Sequence, residues 1–266
     1  PSCEAMEPNQ GGIILGKDNN WYFLTHHGTG DWSGRIVSLL PVTWVQDWPI
    51  PGEVLPQNIG TMKWDGKIPF KHTEKLSIKR SDDFDEDCLA PQWQWNYQPR
   101  KDYFSLTERP GWLRLKAYRP LETNNLLKAG NTLTQRTFRK QNNDVTIKMD
   151  ISNMQDGQKN GLCHFSSQHS AIGIVKEEDA CYLEYRKNGN ITKGIQIHSE
   201  FVWFRTEWGM DGKSQYYYSL DGDNFLPFGE KYQLTWGNYR GDRIGIYCFN
   251  DKKETGSVDV DYCHYR

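Results

Sequence analysis

The chain has 266 residues, with 32 basic and 34 acidic side chains mixed along its length and a formal net charge of −2. That length holds one large domain or two smaller ones with ample core. No basic block marks a nucleic-acid surface, and no apolar run approaches the roughly 18 residues that span a membrane.

The opening PSCEAMEPNQ has no initiator Met, no basic n-region and no apolar h-region, and reads as a processed or truncated piece. Residues 1–55 read as three antiparallel strands. Ile13-Ile14-Leu15 is followed by the turn Gly16-Lys17-Asp18-Asn19-Asn20 and the strand Trp21-Tyr22-Phe23-Leu24-Thr25. A Gly-rich loop, His26-His27-Gly28-Thr29-Gly30-Asp31, then leads to Arg35-Ile36-Val37-Ser38-Leu39-Leu40. Such a sheet is too small to be stable alone and needs neighbours. Residues 56–80, rich in Pro, Gly and Lys, read as a linker. From residue 81 short β-patterned segments alternate with turn signals such as Asn188-Gly189, Asp211-Gly212 and Asp221-Gly222. No amphipathic helix of convincing length interrupts them, and the pattern predicts an all-β antiparallel sandwich over 81–266. The six cysteines are widely and irregularly spaced with no C-x-x-C, which argues against a zinc knuckle; their even number permits disulfides that sequence does not assign, and free thiols are the expectation.

Ser81 to Pro110 carries an acidic opening, D-D-F-D-E-D, and an aromatic run, W-Q-W-N-Y. Trp93, Trp95 and Tyr97 alternate with polar residues, so a strand projects them from one face. Two readings stand: a platform that stacks on sugar rings, or a packed face of the sandwich. Aromatic residues are 14% of the chain, with 11 Trp, which fits all-β carbohydrate-active proteins. Phe201 and Trp203 share one strand face and Phe204 and Trp208 the other, so one pair is expected in the core and the other accessible.

Three blocks carry a family resemblance. Ser81 to Pro110, with the following G-W-L-R-L, resembles the start of the C-terminal sandwich of glycoside hydrolase family 43, the β-xylosidases and α-L-arabinofuranosidases. NTLTQR (Asn131 to Arg136) resembles a motif in the same sandwich. Gln10 to Gly52 resembles the last blade of that family's five-bladed propeller. The resemblance implies a remnant of that blade at 1–55, a linker at 56–80 and a concanavalin A-like jelly roll at 81–266.

The resembled family inverts configuration and takes its base, its acid and a tuning carboxylate from earlier blades. No catalytic Asp or Glu is therefore assigned here, and the chain alone is expected to be inactive. Glu4 and Glu7 match no catalytic motif of the family and read as exposed residues. The last blade implies substrate contacts from Asn9, Gln10, His26, His27 and Arg35. The loop Cys163 to Ser170 corresponds to one that the sandwich sends toward the propeller mouth, with Phe165 and His169 as sugar contacts. Trp93, Trp95 and Trp203 are the candidate stacking residues, beside Tyr97 and Trp208. Val260-Asp261-Tyr262 resembles the last strand of concanavalin-like glucanases, where an Asp holds a structural calcium. Asp261 and, from the acidic opening, Asp83 are the expected ligands.

These features predict the C-terminal portion of a xylan- or arabinoxylan-degrading hydrolase. The alternatives are a non-catalytic carbohydrate-binding module and a structural buttress. The expected partners are xylo- or arabino-oligosaccharides and the rest of a propeller or a second copy. The substrate class leads to an expected periplasmic or extracellular location.

Overall fold

The computed structural model of the protein describes residues 9–61, 65–66, 69, 77–237 and 240–266. Part of the 56–80 linker, and both Glu4 and Glu7, lie outside the described residues. The main division of the chain into two compact units falls between Ile78 and Lys79.

The first unit is a four-stranded antiparallel sheet in simple meander order: β1 (Asn9–Leu15), β2 (Trp21–Gly28), β3 (Arg35–Val45) and β4 (Trp48–Pro51). A two-stranded ribbon, β5 (Val54–Leu55) and β6 (Ile59–Gly60), follows it. The sequence reading expected three strands. The fourth was hidden because W-P-I-P carries two prolines, which cannot donate to a ladder. At the edge of the sheet that loss is tolerated. The β3–β4 hairpin turns through Gln46 and Asp47, both at positive φ (50° and 61°), as a type I′ turn requires. The histidine pair also differs from expectation. His26 and His27 lie within β2, because the strand continues to Gly28 opposite Arg35.

The second unit is an antiparallel sandwich. Its strands are β7 (Gln94–Trp95), β8 (Phe104–Ser105), β9 (Leu113–Lys116), β10 (Thr132–Arg136), β11 (Asn143–Asp150), β12 (Gln158–Phe165), β13 (His169–Glu177) and β14 (Ala180–Lys187). They continue as β15 (Asn190–Ile197), β16 (Phe201–Trp208), β17 (Lys213–Ser219), β18 (Leu226–Pro227), β19 (Tyr232–Gln233), β20 (Arg243–Asn250) and β21 (Ser257–Tyr265). A seven-stranded sheet runs β15-β14-β13-β12-β20-β10-β7. An eight-stranded sheet runs β18-β17-β16-β11-β21-β9-β8, with β19 beside β17.

Period-two burial shows how the sheets face each other. On β16, Val202, Phe204, Thr206 and Trp208 are buried, while Phe201, Trp203 and Arg205 are half-buried on the outer side. On β21, Val258 and Val260 point inward, and so do Cys263 and Tyr265. Strict alternation forbids this. A bulge that leaves Asp261 as the extra residue resets the parity. The central strand β20 is buried at every position. Ile244, Ile246 and Cys248 face the other sheet, while Tyr247 and Phe249 face the opposite side. There they join Cys163, Phe165 and Ala171 beneath Leu126 and Ala129. The segment 121–129 thus straps the outer face of the seven-stranded sheet. Asn124 latches it: its N–H donates to Asp251 Oδ1 (2.8 Å), its Oδ1 accepts from Lys159 Nζ (3.0 Å), and its carbonyl accepts from Arg186 Nη1 (3.3 Å).

Candidate functional site

In the four-stranded sheet, the start of β1, the end of β2 and the start of β3 meet at one end. Asn9 pairs with His26, and Gly28 pairs with Arg35. Gln10 sits in a bulge at φ 48°, and its side-chain Oε1 lies 3.4 Å from His26 Nε2. Register puts His26 and Arg35 on the same face. His27, as the next residue, points to the other side, where Nδ1 meets Ser38 Oγ at 2.5 Å. Burial, with the neighbouring His26 adding to it, pushes the His27 pKa below its usual value. The two histidines therefore do not form one catalytic pair. Gln10 and His26 thus meet on the face that Arg35 shares by register, and His27 packs on the other side.

In the sandwich, the β12–β13 hairpin separates its two candidates. Phe165 is 8% exposed and belongs to the cluster under the strap, so its ring has no free face for a sugar. His169 is buried on its strand but lines a cleft with Gln168, Asn188, Asn124 and Asn125. Burial, assisted by the nearby Arg186 charge, lowers its pKa to about 4 and keeps the ring neutral.

The aromatic run divides as well. Trp93 is buried, donates its indole N–H to Asp82 Oδ2 at 2.7 Å and stacks on Phe84. Trp95, half-buried, packs on Phe104 with ring centroids 4.7 Å apart. Tyr97 is exposed. Trp208 and Phe204 are core residues. Trp203 is held from two sides. Lys148 Nζ lies 5.8 Å from its ring, and a Cβ at Gly222 would come within 3.1 Å of it.

The same lysine answers the calcium expectation. Lys148 Nζ bonds Asp261 Oδ2 at 2.7 Å and faces Trp112 and Phe201 at 5.2 Å each. Asp83 Oδ1 pairs instead with His264 Nε2 at 2.7 Å. The first and last strands do meet, through a bridge between Asp82 and Cys263, but the buried Asp82 carboxylate is spent on Trp93 and the Phe84 N–H. Among the described residues, no group of three or more His, Cys, Asp or Glu could hold a metal. Calcium requires six to eight oxygens, and a lysine ammonium already neutralises Asp261, so these residues do not fit a calcium site.

Residues 81–266 match the family model described as the β-xylosidase C-terminal concanavalin A-like domain. The chain belongs to this family. It is 34% identical, over 97% of its length, to 47% of a β-xylosidase from Formosa agariphila. Over 39% of its length it is 31% identical to 20% of the non-reducing-end α-L-arabinofuranosidase BoGH43B from Bacteroides ovatus. A solved bifunctional GH43-CE protein from Bacteroides eggerthii superimposes with a TM-score of 0.80 at 27% identity, covering 97% of this chain and 34% of that one. The chain spans about half the length of the curated β-xylosidase that it matches.

Within this family 43 sandwich, two polar clusters were not foreseen from sequence. His164 and Asp242 pair at 2.9 Å with both side chains fully buried, and His164 Nε2 lies 3.1 Å from Thr206 Oγ1. Trp208, Tyr216 and Tyr232 surround the ring. Residues 78 apart in sequence give no local signal for such a pair, and full burial makes it structural. On the outer side of the eight-stranded sheet, Asp259 accepts from both Arg114 and Arg109, and Arg109 also donates to Asp150 at 2.7 Å. This network ties the 105–116 segment to β21 and β11. Among the described residues, Cys88, Cys163, Cys181, Cys248 and Cys263 are free thiols. Burial pushes the Cys248 thiol up to about 12, so it is an inert packing residue.

Proposed function

We propose that the chain is the C-terminal portion of a glycoside hydrolase acting on xylan or arabinoxylan, in which β1–β4 form one propeller blade and the sandwich braces the catalytic half. The observation that carries this reading is a four-stranded sheet that is apolar on both faces. Ile14, Leu24 and Val37 are exposed on one face, and Ile13, Leu15, Trp21, Ile36 and Trp44 on the other. A sheet facing water keeps polar residues on that side. A propeller blade is covered on both sides by its neighbours. The matched relatives are named as a β-xylosidase and an arabinofuranosidase, which supports a pentose-containing substrate.

Hydrolysis with inversion requires an acid and a base on opposite sides of one bond. In this reading both come from other blades, and Gln10, His26 and Arg35 contribute donors and acceptors at the rim. Among roles for the sandwich itself, a buttress is favoured over a stacking module, since Trp93, Trp95 and Trp203 are engaged in packing.

The test is a chimera in which this chain replaces the matching C-terminal half of the Formosa β-xylosidase. The chain alone is expected to leave aryl-xylosides and aryl-arabinofuranosides intact, and the chimera to turn over one of them. A folded but inactive chimera, or turnover by the chain alone that a point change within it abolishes, refutes the reading.

A further inference from the structure

The cleft beside His169 is built from three turns of the sandwich. Ser167 and Gln168 come from the β12–β13 turn, Asn188 and Gly189 from the β14–β15 turn, and Asn124 and Asn125 from the strap. Its volume of ≈ 490 Å³ lies in the range of small-ligand pockets. No Asp, Glu, Lys or Arg side chain lines it. What lines it instead are primary amides and a hydroxyl, each with the donor and acceptor pairing that a sugar hydroxyl presents.

Internal hydrogen bonds pre-set these groups. Asn188 Nδ2 donates to Gln168 Oε1 at 3.1 Å, and Asn188 Oδ1 accepts from the His169 N–H at 3.0 Å. Asn125 Oδ1 accepts from the Leu127 N–H at 3.0 Å. Among the described residues, the Gln168 amide nitrogen and the Ser167 hydroxyl are left with no hydrogen-bond partner. His169 is 6% exposed, and its Nδ1 is buried without a partner among the described residues. Burial lowers its pKa to about 4, so the ring at the cleft is neutral. Half-buried Leu127 supplies an apolar wall.

We propose that this cleft binds an uncharged saccharide, one or two rings long, through Gln168, Asn188, Ser167 and His169. The lining itself holds no Asp, Glu, Lys or Arg side chain to form an ion pair with an acidic sugar. Hydroxyl bonds largely replace bonds to water, and no aromatic face adds stacking, so affinity is weak, on the order of 1 mM. This site needs no propeller, so it stands or falls separately from the hydrolase reading.

The experiment is calorimetry and saturation-transfer NMR on the whole chain with xylobiose, arabinobiose and glucuronate. Gln168→Ala and Ser167→Ala, both on an exposed turn, are compared with wild type and with Trp203→Ala. We expect a neutral disaccharide to bind, Gln168→Ala to weaken it roughly five- to tenfold, and Trp203→Ala to leave it unchanged. If circular dichroism shows Gln168→Ala unfolded, Ser167→Ala decides, with an expected loss of about threefold. The proposal is overturned by no signal from either neutral sugar at about 20 mM, by binding that neither cleft variant alters, or by glucuronate binding more tightly than both.

Discussion

His164 and His169 stand five residues apart on one hairpin, yet their rings lie on different sides of the seven-stranded sheet. His164 is enclosed between the sheets with Asp242 and Thr206 as partners. Removing one member of a buried pair strands the other, so Asp242→Ala is expected to cost about 3 kcal/mol in urea unfolding. A loss below about 1 kcal/mol would show that the pair does not organise the core. His169 has no charged partner, and burial followed by the Arg186 charge brings its pKa from 6.5 to about 4. The unfolded chain takes up this proton below pH 6.5 while the folded chain resists it until about pH 4. The stability linked to His169 is thus fully present above pH 6.5 and fades as pH falls toward 4, by roughly 3 kcal/mol in all. His169→Gln should flatten the fall in unfolding midpoint between pH 6.5 and 4. A wild-type-to-variant difference that is constant across that window counts against it.

Strand β16 shows how an element distributes the cost of a substitution. Phe204 is fully buried between the sheets, whereas Trp203, its neighbour in sequence, lies on the outer face against Lys148 and Gly222. Phe204→Ala should therefore cost about 3–5 kcal/mol. Trp203→Ala should cost only about 1 kcal/mol, mainly the loss of the lysine contact and one packed face. Equal losses in parallel denaturation curves would mean that the outer face is as tightly packed as the core. The accessible-versus-core split was legible in FVWFRTEW because a strand alternates. Which side faced the partner sheet was not, since both sides carry aromatics. Phe165 shows the converse: its hairpin reads as a loop, but the strap over the outer face buries it.

At the scale of the molecule, Val37 is 75% exposed on a sheet with apolar residues on both faces. Val37→Asp in the isolated chain should change stability by less than about 0.5 kcal/mol. In the chimera with the N-terminal half of the Formosa β-xylosidase it should lower the thermal midpoint by several degrees, if that half covers this face and buries the unpaired charge. No change in the chimera would show that this face stays in water. Lys148 also predicts that chelation and added calcium leave the thermal midpoint of the chain unmoved, since Asp261 is already neutralised. A rise on adding millimolar calcium would restore the metal site.

The strand periods, the turn pairs and the family blocks are local, so the sequence alone determined the all-β sandwich, three of the four strands of the first sheet and the place of the chain among family 43 proteins. Alternation along a strand says which residues share a face but not what covers that face. Only the tertiary structure decided that Trp93 and Phe165 pack, that His26 and His27 diverge, that a lysine stands at Asp261, and that His164 meets Asp242. Each of these depends on contacts between residues far apart in the chain, and neither spacing nor composition encodes them.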